Sequence, residues 1–303
     1  MVPDGPKLPF STLLASDEKG DEGTEREEGS FNCAFSFLDG AKMNSNADRT
    51  SFLQPAEPDR PFLLAADIDG TLVGDEEGEV FLRRFAADHS DDFYLAVISG
   101  RSLESIMQLI GEGRLPKPDY IGSSVGTELL CLDDAANAMG ARYAAQAPSG
   151  WNLEAIYALG EGEGIKRQDF PEGQPRFHAG FFWDGRPENL AALRSRLSGC
   201  EDCNIFPSYG QYVDVLPARI GKGGMVRFLQ QELNLDPARI VVAGDSGNDR
   251  EMFETGFRGV VPVNGLDELK DASREKWHYH SPLPAARGVL DGLAHFGLIK
   301  RGG

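Results

Sequence analysis

Three short apolar runs, each closed by acidic or hydroxyl residues and glycine, constrain what this chain can fold into more than any other feature. They are Pro61-Phe-Leu-Leu-Ala-Ala66 before Asp67-Ile-Asp69-Gly70-Thr71, Tyr94-Leu-Ala-Val-Ile98 before Ser99-Gly100-Arg101-Ser102, and Arg239-Ile-Val-Val-Ala243 before Gly244-Asp245-Ser246-Gly247-Asn248-Asp249. Short apolar runs bounded by turn residues read as buried strands. Helical stretches follow, Leu103 to Ile110 after the second run and Arg250 to Phe253 after the third. The alternation predicts an α/β fold with a doubly wound, mostly parallel, Rossmann-like core. Ligands of such sheets bind outside the carboxyl ends of the strands.

The residues at those ends carry chemistry. Asp67 and Asp69 stand one residue apart, and the repulsion and desolvation of such a pair call for an opposing cation. An acidic surface turn is the other reading of Asp-x-Asp-Gly. Asp245 and Asp249 end the third run. Capping the following helix would explain Asn248 or Asp249 but not Asp245, whereas a hard cation explains both carboxylates. Ser99 is either ordinary turn chemistry or a hydroxyl offered to a phosphate oxygen. Lys222, in Ile220-Gly-Lys-Gly-Gly224, opens a helix through Met225, Phe228 and Leu229. The helix dipole disfavours a cation there, so Lys222 faces an anion, a phosphate or Asp67, unless it sits exposed in a Gly-rich linker. The segment lacks the spacing of a nucleotide P-loop, and Gly160-Glu-Gly-Glu-Gly164 follows a helix rather than a strand, so neither binds a nucleotide in the usual way. In chain order, Asp67, Asp69, Ser99, Lys222, Asp245 and Asp249 compose a Mg²⁺-dependent phosphoryl-transfer site.

This ordered set resembles the haloacid dehalogenase superfamily of phosphohydrolases, with Asp67-Ile-Asp-Gly-Thr as its first motif, Ser99 its second, Lys222 its third and Gly244 to Asp249 its fourth. About 26 residues separate Leu72 from Ser99, but about 120 separate Ser99 from Lys222, far more than one crossover needs. The resemblance therefore implies an α+β cap of the second type inserted after the third core strand. The expected domains are a core of 61–127 and 216–303 and a cap of 128–215. Its helices are expected at Asn152–Leu159 and Pro187–Leu197, its strands at Phe177–Trp183 and Asn204–Val215. Trp151, Phe181 and Trp183 are cap core or a platform for a sugar ring.

Ser123-Ser-Val-Gly-Thr-Glu128, Val213-Asp-Val-Leu-Pro217, the fourth motif and Ala286 to Phe296 resemble the sucrose-phosphate phosphatase family over roughly 61–299. Mannosylfructose-phosphate phosphatases are resembled about as well. What the resemblance implies is specific. Asp67 is the nucleophile that forms an aspartyl-phosphate, and Asp69 protonates the leaving oxygen and then activates water. Ser99 and Lys222 hold the phosphoryl oxygens. Mg²⁺ is held by Asp67, the Asp69 carbonyl and Asp245, with Asp249 either a ligand or a support behind the ligands. Substrate contacts are expected from Gly100, Arg101, His178, Gln211 and Asn248. Departures from the family pattern at His178 and at Tyr209-Gly-Gln-Tyr212 fall where the cap meets the sugar, which leaves the sugar open. Sucrose 6-phosphate is the first expectation and mannosylfructose phosphate or another sugar phosphate the alternative. A phosphosugar mutase and a catalytically silent sugar-binding partner are the remaining readings; a glycosyltransferase that makes the phosphorylated disaccharide is the implied partner.

Composition sets bounds. A net charge of −18 over 303 residues disfavours nucleic acid and anionic membrane partners and repels an anionic substrate at long range. Recruitment then falls to local cations: Mg²⁺, Lys222 and Arg101. No apolar run approaches the length of a membrane span. Cys33, Cys131, Cys200 and Cys203 form no disulfide framework, and no second ligand pair accompanies Cys200-Glu-Asp-Cys203, so reduced cytoplasmic thiols are expected. Residues 1–60 include the acidic, Gly-rich stretch Asp17 to Glu28 and are expected to stay disordered, with Met43 a possible true start.

Overall fold

The computed structural model describes residues 53–57, 60–134, 136–200 and 202–301. Met43, Cys33 and the acidic stretch lie outside the described residues. The strands are β1 (Leu53–Pro55), β2 (Phe62–Ala66), β3 (Phe93–Ile98), β4 (Tyr120–Ser123), β5 (Glu128–Cys131), β6 (Ile165–Arg167), β7 (Ala179–Trp183), β8 (Cys203–Ser208), β9 (Tyr212–Pro217), β10 (Ile240–Ala243), β11 (Arg258–Val261), β12 (His278–His280) and β13 (Ile299–Arg301). The helices are α1 (Glu76–Asp88), α2 (Leu103–Gly111), α3 (Ala138–Ala144), α4 (Leu153–Gly160), α5 (Pro187–Arg196), α6 (Lys222–Glu232), α7 (Arg250–Phe253), α8 (Asp267–Ala272) and α9 (Ala285–His295).

The core is a seven-stranded sheet in the order β12-β11-β10-β2-β3-β4-β5. Every pair is parallel except β4–β5. β2 is apolar throughout because both of its faces are covered, and all five of its residues are buried. Register does the rest. Ala66 pairs with Ala243 of β10 and with Val97 of β3, and the ladder continues one step as Asp67 N–H donates to the Ala243 carbonyl at 3.0 Å. The three turns named in the sequence are thereby delivered to one end of the sheet.

The second sheet is antiparallel, four-stranded, in the order β6-β7-β9-β8. α4 and α5 cover one face, where Ile156, Tyr157, Leu190 and Leu193 pack on Ala179, Phe181, Val213 and Val215. Each buried Val, Leu, Ile or Phe side chain among them contributes about 1.5–3 kcal/mol by leaving water. Because side chains alternate along a strand, the opposite face carries Phe182, Tyr212 and Asp214. Phe181 is fully buried, and Trp151 and Trp183 pack against this same cluster. Phe182, exposed, and Tyr212, half-buried, lie on that opposite face with ring centroids 5.8 Å apart, and half-buried Phe206 of β8 shares it.

Three expected boundaries move. Glu128–Cys131 does not open the cap but forms β5, antiparallel to β4 at the edge of the core sheet; a tight turn with Ser124, Val125 and Gly126 all at positive φ folds it back. The stretch Asn204–Val215 is two strands joined at Tyr209–Gly210, where both residues adopt positive φ. The segment before residue 60, expected without structure, contributes β1, which pairs antiparallel with β13 and buries Leu53. No helix among the described residues is long and apolar enough to cross a membrane.

Candidate active site

Lys222, at the first turn of α6, is fully buried, and its Nζ donates to Asp67 Oδ1 at 2.7 Å, Asp249 Oδ1 at 2.6 Å and Asn248 Oδ1 at 3.2 Å. It faces an anion, as its place at a helix start required, and the anion is a pair of carboxylates. Gly221 before it has φ 148°, and Glu251 of α7 accepts the Gly223 N–H at 3.0 Å, which satisfies an orphan donor of the α6 N-terminus. Burial pushes the Glu251 carboxyl up to about 7, opposed by the Gly223 and Gly224 N–H groups.

Asp249 uses both oxygens. Oδ1 meets Lys222, and Oδ2 accepts the N–H of Asp245 at 2.9 Å and of Ser246 at 3.1 Å. The sequence leaves capping of the following helix and cation ligation open for Asp249; its side chain makes no cap bond to α7 and instead closes the turn before it. Asp67, Asp245 and Asp249 offer oxygens that all lie within 4.8 Å of one another. Three carboxylates against the single Lys222 ammonium leave negative charge uncompensated. Burial raises Asp67 to about 7 and Asp245 to about 8, with Asp249 adding to both and Lys222 opposing. Burial alone would disfavour the Lys222 ammonium, but Asp249 and Asp67 outweigh it and hold its pKa above the ordinary value. Asp245 Oδ1 is buried with no partner among the described residues, and so is Thr71 Oγ1. An orphaned carboxylate oxygen beside two more carboxylates fits a divalent cation. Gly70, at φ +75°, is required here, since a Cβ on it would stand 2.4 Å from Asp245 Oδ2.

Asp69 turns away from that cluster. Its carboxylate is held by Arg101 in a two-pronged pair, Nε to Oδ2 at 2.6 Å and Nη2 to Oδ1 at 2.7 Å. The hydrogen bond that Arg101 donates to Asp69 in turn raises the Arg101 pKa against the effect of burial. Ser99 is buried, and its Oγ accepts the Arg101 N–H at 3.3 Å. The loop is pinned by Val125 N–H to the Ser99 carbonyl at 2.8 Å and Ser124 N–H to the Arg101 carbonyl at 2.9 Å. Gly100 is exposed beside it.

The remaining expected contacts are spread out. Asn248 turns its side-chain oxygen to Lys222 and to the Ser246 hydroxyl at 3.0 Å rather than to open cleft. His178 is buried in the cap, with Nε2 2.7 Å from Asp214 Oδ1 and Nδ1 without a partner among the described residues. Gln211 is exposed, next to the hairpin turn. Tyr143 of α3 carried no sequence signal. Its buried hydroxyl lies 2.8 Å from the Gly126 carbonyl and 3.0 Å from that of Gly221, and accepts the Gly221 N–H at 2.9 Å. A polar atom that joins two loops 95 residues apart in the chain has no local pattern to announce it.

The family model of sucrose-6F-phosphate phosphohydrolases matches residues 60–297. The chain belongs to this family. It is a phosphoric monoester hydrolase of the haloacid dehalogenase fold, among the sucrose-phosphate-phosphatase-like phosphatases of sugar phosphates. The crystal structure of the sucrose-phosphatase from Synechocystis sp. in complex with sucrose and phosphate is similar at a TM-score of 0.71 and 32% identity, over 78% of this chain and 98% of that one. The mannosylfructose-phosphate phosphatase of Agrobacterium fabrum is 31% identical over 79% of this chain and 98% of its own length. A glucosylglycerol-phosphate synthase of Pseudomonas anguilliseptica is also 31% identical, over 80% of this chain but only 31% of its own length. The sucrose-6F-phosphate phosphohydrolase match spans β2 to α9, both sheets included.

Proposed function

We propose that this chain hydrolyses the phosphate monoester of a fructosyl disaccharide, sucrose 6-phosphate first, by way of a phosphoryl group carried on Asp67. The observation that supports it most is the buried triad of Asp67, Lys222 and Asp249 at the carboxyl end of β2. An isolated nucleophilic carboxylate would be repelled by a phosphate, whereas one paired at 2.7 Å with a buried ammonium has that repulsion reduced. Asp67 attacks phosphorus in line; Asp69, whose two oxygens Arg101 holds in this structure, must leave that pair to give the ester oxygen its proton and then takes a proton from the water that releases phosphate. Arg101 bridges these roles, since its guanidinium holds Asp69 and its N–H holds Ser99. Asp67 and Asp245 would hold Mg²⁺, with Asp249 fixing the loop that carries Asp245; the ion supplies charge neutralisation for the phosphoryl oxygens.

The cap sheet supports a substrate larger than a monosaccharide. Phe182 and Tyr212 stand cross-strand on the face turned away from α4 and α5, the face on which Asp214 pairs with buried His178. An aromatic surface next to fixed polar groups suits a sugar ring. Mannosylfructose phosphate is the second reading, favoured by the Agrobacterium relative. A glycosyltransferase that makes the phosphorylated disaccharide would supply either substrate.

The test is kcat/KM with Mg²⁺ for sucrose 6-phosphate, mannosylfructose 6-phosphate and fructose 6-phosphate. A site that hydrogen-bonds particular hydroxyls rejects an analogue lacking them by up to about 10⁴. Preference for the mannosyl ester selects the second reading, and equal rates on all three remove the disaccharide. Asp67→Asn should abolish turnover and phosphorylated-enzyme formation with the fold retained; a mutant that still turns over would refute the nucleophile.

A further inference from the structure

Asn264 lies in the short loop between β11 and α8, outside every motif of the sequence. Its side chain is exposed and adds no core packing, yet both ends of its amide are committed. Nδ2 donates to the Gly70 carbonyl at 2.7 Å, and Oδ1 accepts the N–H of Ala285, the first residue of α9, at 2.8 Å. Two residues further on, the Leu266 N–H donates to the Asp245 carbonyl at 2.7 Å. One short loop thus holds both the turn after β2 and the turn after β10, the turns that bring Asp67 and Asp245 within 4.8 Å of each other.

The partners fix which way round the amide sits. A backbone N–H must face its oxygen and a backbone carbonyl its nitrogen, so a carboxylate or an aliphatic side chain could not make both contacts. Ala285 needs that hold, because its φ is 40°, a conformation that a residue with a Cβ rarely adopts unless its surroundings impose it. The bond to Gly70 matters for another reason. A Cβ on Gly70 would stand 2.4 Å from Asp245 Oδ2 and 3.4 Å from Asn264 Nδ2. The Gly70 peptide therefore adjoins both groups, and any drift of it changes the space left to the Asp245 carboxylate. We propose that Asn264 is a positioning residue for the metal site: it fixes the Gly70 peptide against Asp245 and, with the Leu266 N–H, sets the spacing of the two turns that would hold Mg²⁺. That ion tolerates little departure from octahedral geometry, so the spacing is read out as affinity.

The inference rests on the reading that Asp67 and Asp245 hold Mg²⁺. It is tested on the full chain with Asn264→Leu, which keeps the size of the side chain and loses both bonds without adding charge, with Asn264→Ala, and with Ala285→Gly. Mg²⁺ binding is measured by calorimetric titration, and Tm is measured in chelator and with Mg²⁺. Loss of the bond to Gly70 predicts a Mg²⁺ dissociation constant raised about fivefold in both Asn264 variants. Their Tm in chelator should fall little, and the gain in Tm on adding Mg²⁺ should shrink. Ala285→Gly, which relaxes the strained φ and keeps the N–H, should bind Mg²⁺ as the wild type does. A lower Tm in chelator with wild-type Mg²⁺ affinity would mark the contact as merely structural and overturn the positioning role. A loss of affinity in Ala285→Gly as large as in Asn264→Leu overturns it too, because the effect would belong to the start of α9. If the wild type binds no Mg²⁺, the metal reading falls and this one with it. If the wild type binds and the Asn264 variants match it, only the positioning role falls.

Discussion

Asp67 and Asp245 are carboxyls that the fold charges reluctantly. Their pKa values rise from 3.8 to about 7 and about 8, first because they are buried and then because Asp249 lies beside them. Between pH 4 and 8 the folded state therefore binds more protons than the unfolded one, so metal-free stability falls as pH rises through that window and levels off above it. Melting temperatures in chelator should decline across pH 4.5 to 8.5, less steeply in Asp245→Asn. Mg²⁺ should raise them most at the alkaline end, where both carboxylates are ionised. A metal-free Tm that climbs with pH would contradict the burial of these charges. Gly70 belongs to the same balance. Gly70→Ala combines a positive φ with a Cβ 2.4 Å from Asp245 Oδ2, so Asp245 must move. The expected result is a higher Mg²⁺ concentration for half-maximal activity, read from a metal titration beside the wild type.

At the scale of elements, the site is a set of termini held against one another. The α6 start is gripped by Glu251 from α7 and by Tyr143 from α3, and Lys222 projects from between them. Tyr143→Phe would leave a buried N–H and a buried carbonyl without their partner, at a cost of about 1–3 kcal/mol. A denaturant midpoint that drops with unchanged slope is the expected signature, along with a lower kcat because Lys222 is less firmly placed. The ring itself stays packed on Phe228, 5.2 Å between centroids, so the change isolates the hydroxyl. β5 shows how far element identity depends on pairing. Its four residues, Glu128 to Cys131, read as the entrance to the cap because the motif before them ends a core strand. Antiparallel pairing with β4 returns them to the core.

At the scale of the whole molecule, the chain beyond the motifs also matters. β1 pairs with β13, His89 Nε2 lies 3.0 Å from the Leu53 carbonyl, and Glu57 pairs with Arg239 at 3.4 Å. Deleting residues 1–60 should therefore lower the Tm relative to deleting 1–52, with kcat/KM alike in the two; equal melting temperatures would show that these contacts contribute nothing. The sequence by itself determined the strands β2, β3 and β10, the carboxylates and Ser99 at their ends, and an insertion large enough for a cap. These are legible because an apolar run, its closing turn and the residues between two motifs are local facts of the chain. Only the tertiary structure decided that Asp249 splits its oxygens between Lys222 and two backbone N–H groups, and that Asp69 is held by Arg101. It alone decided that Phe182 and Tyr212, rather than Trp151, Phe181 and Trp183, lie on the cap-sheet face turned away from α4 and α5. Each of these depends on strand register, or on packing between segments tens of residues or more apart, and no local pattern encodes which distant group will arrive.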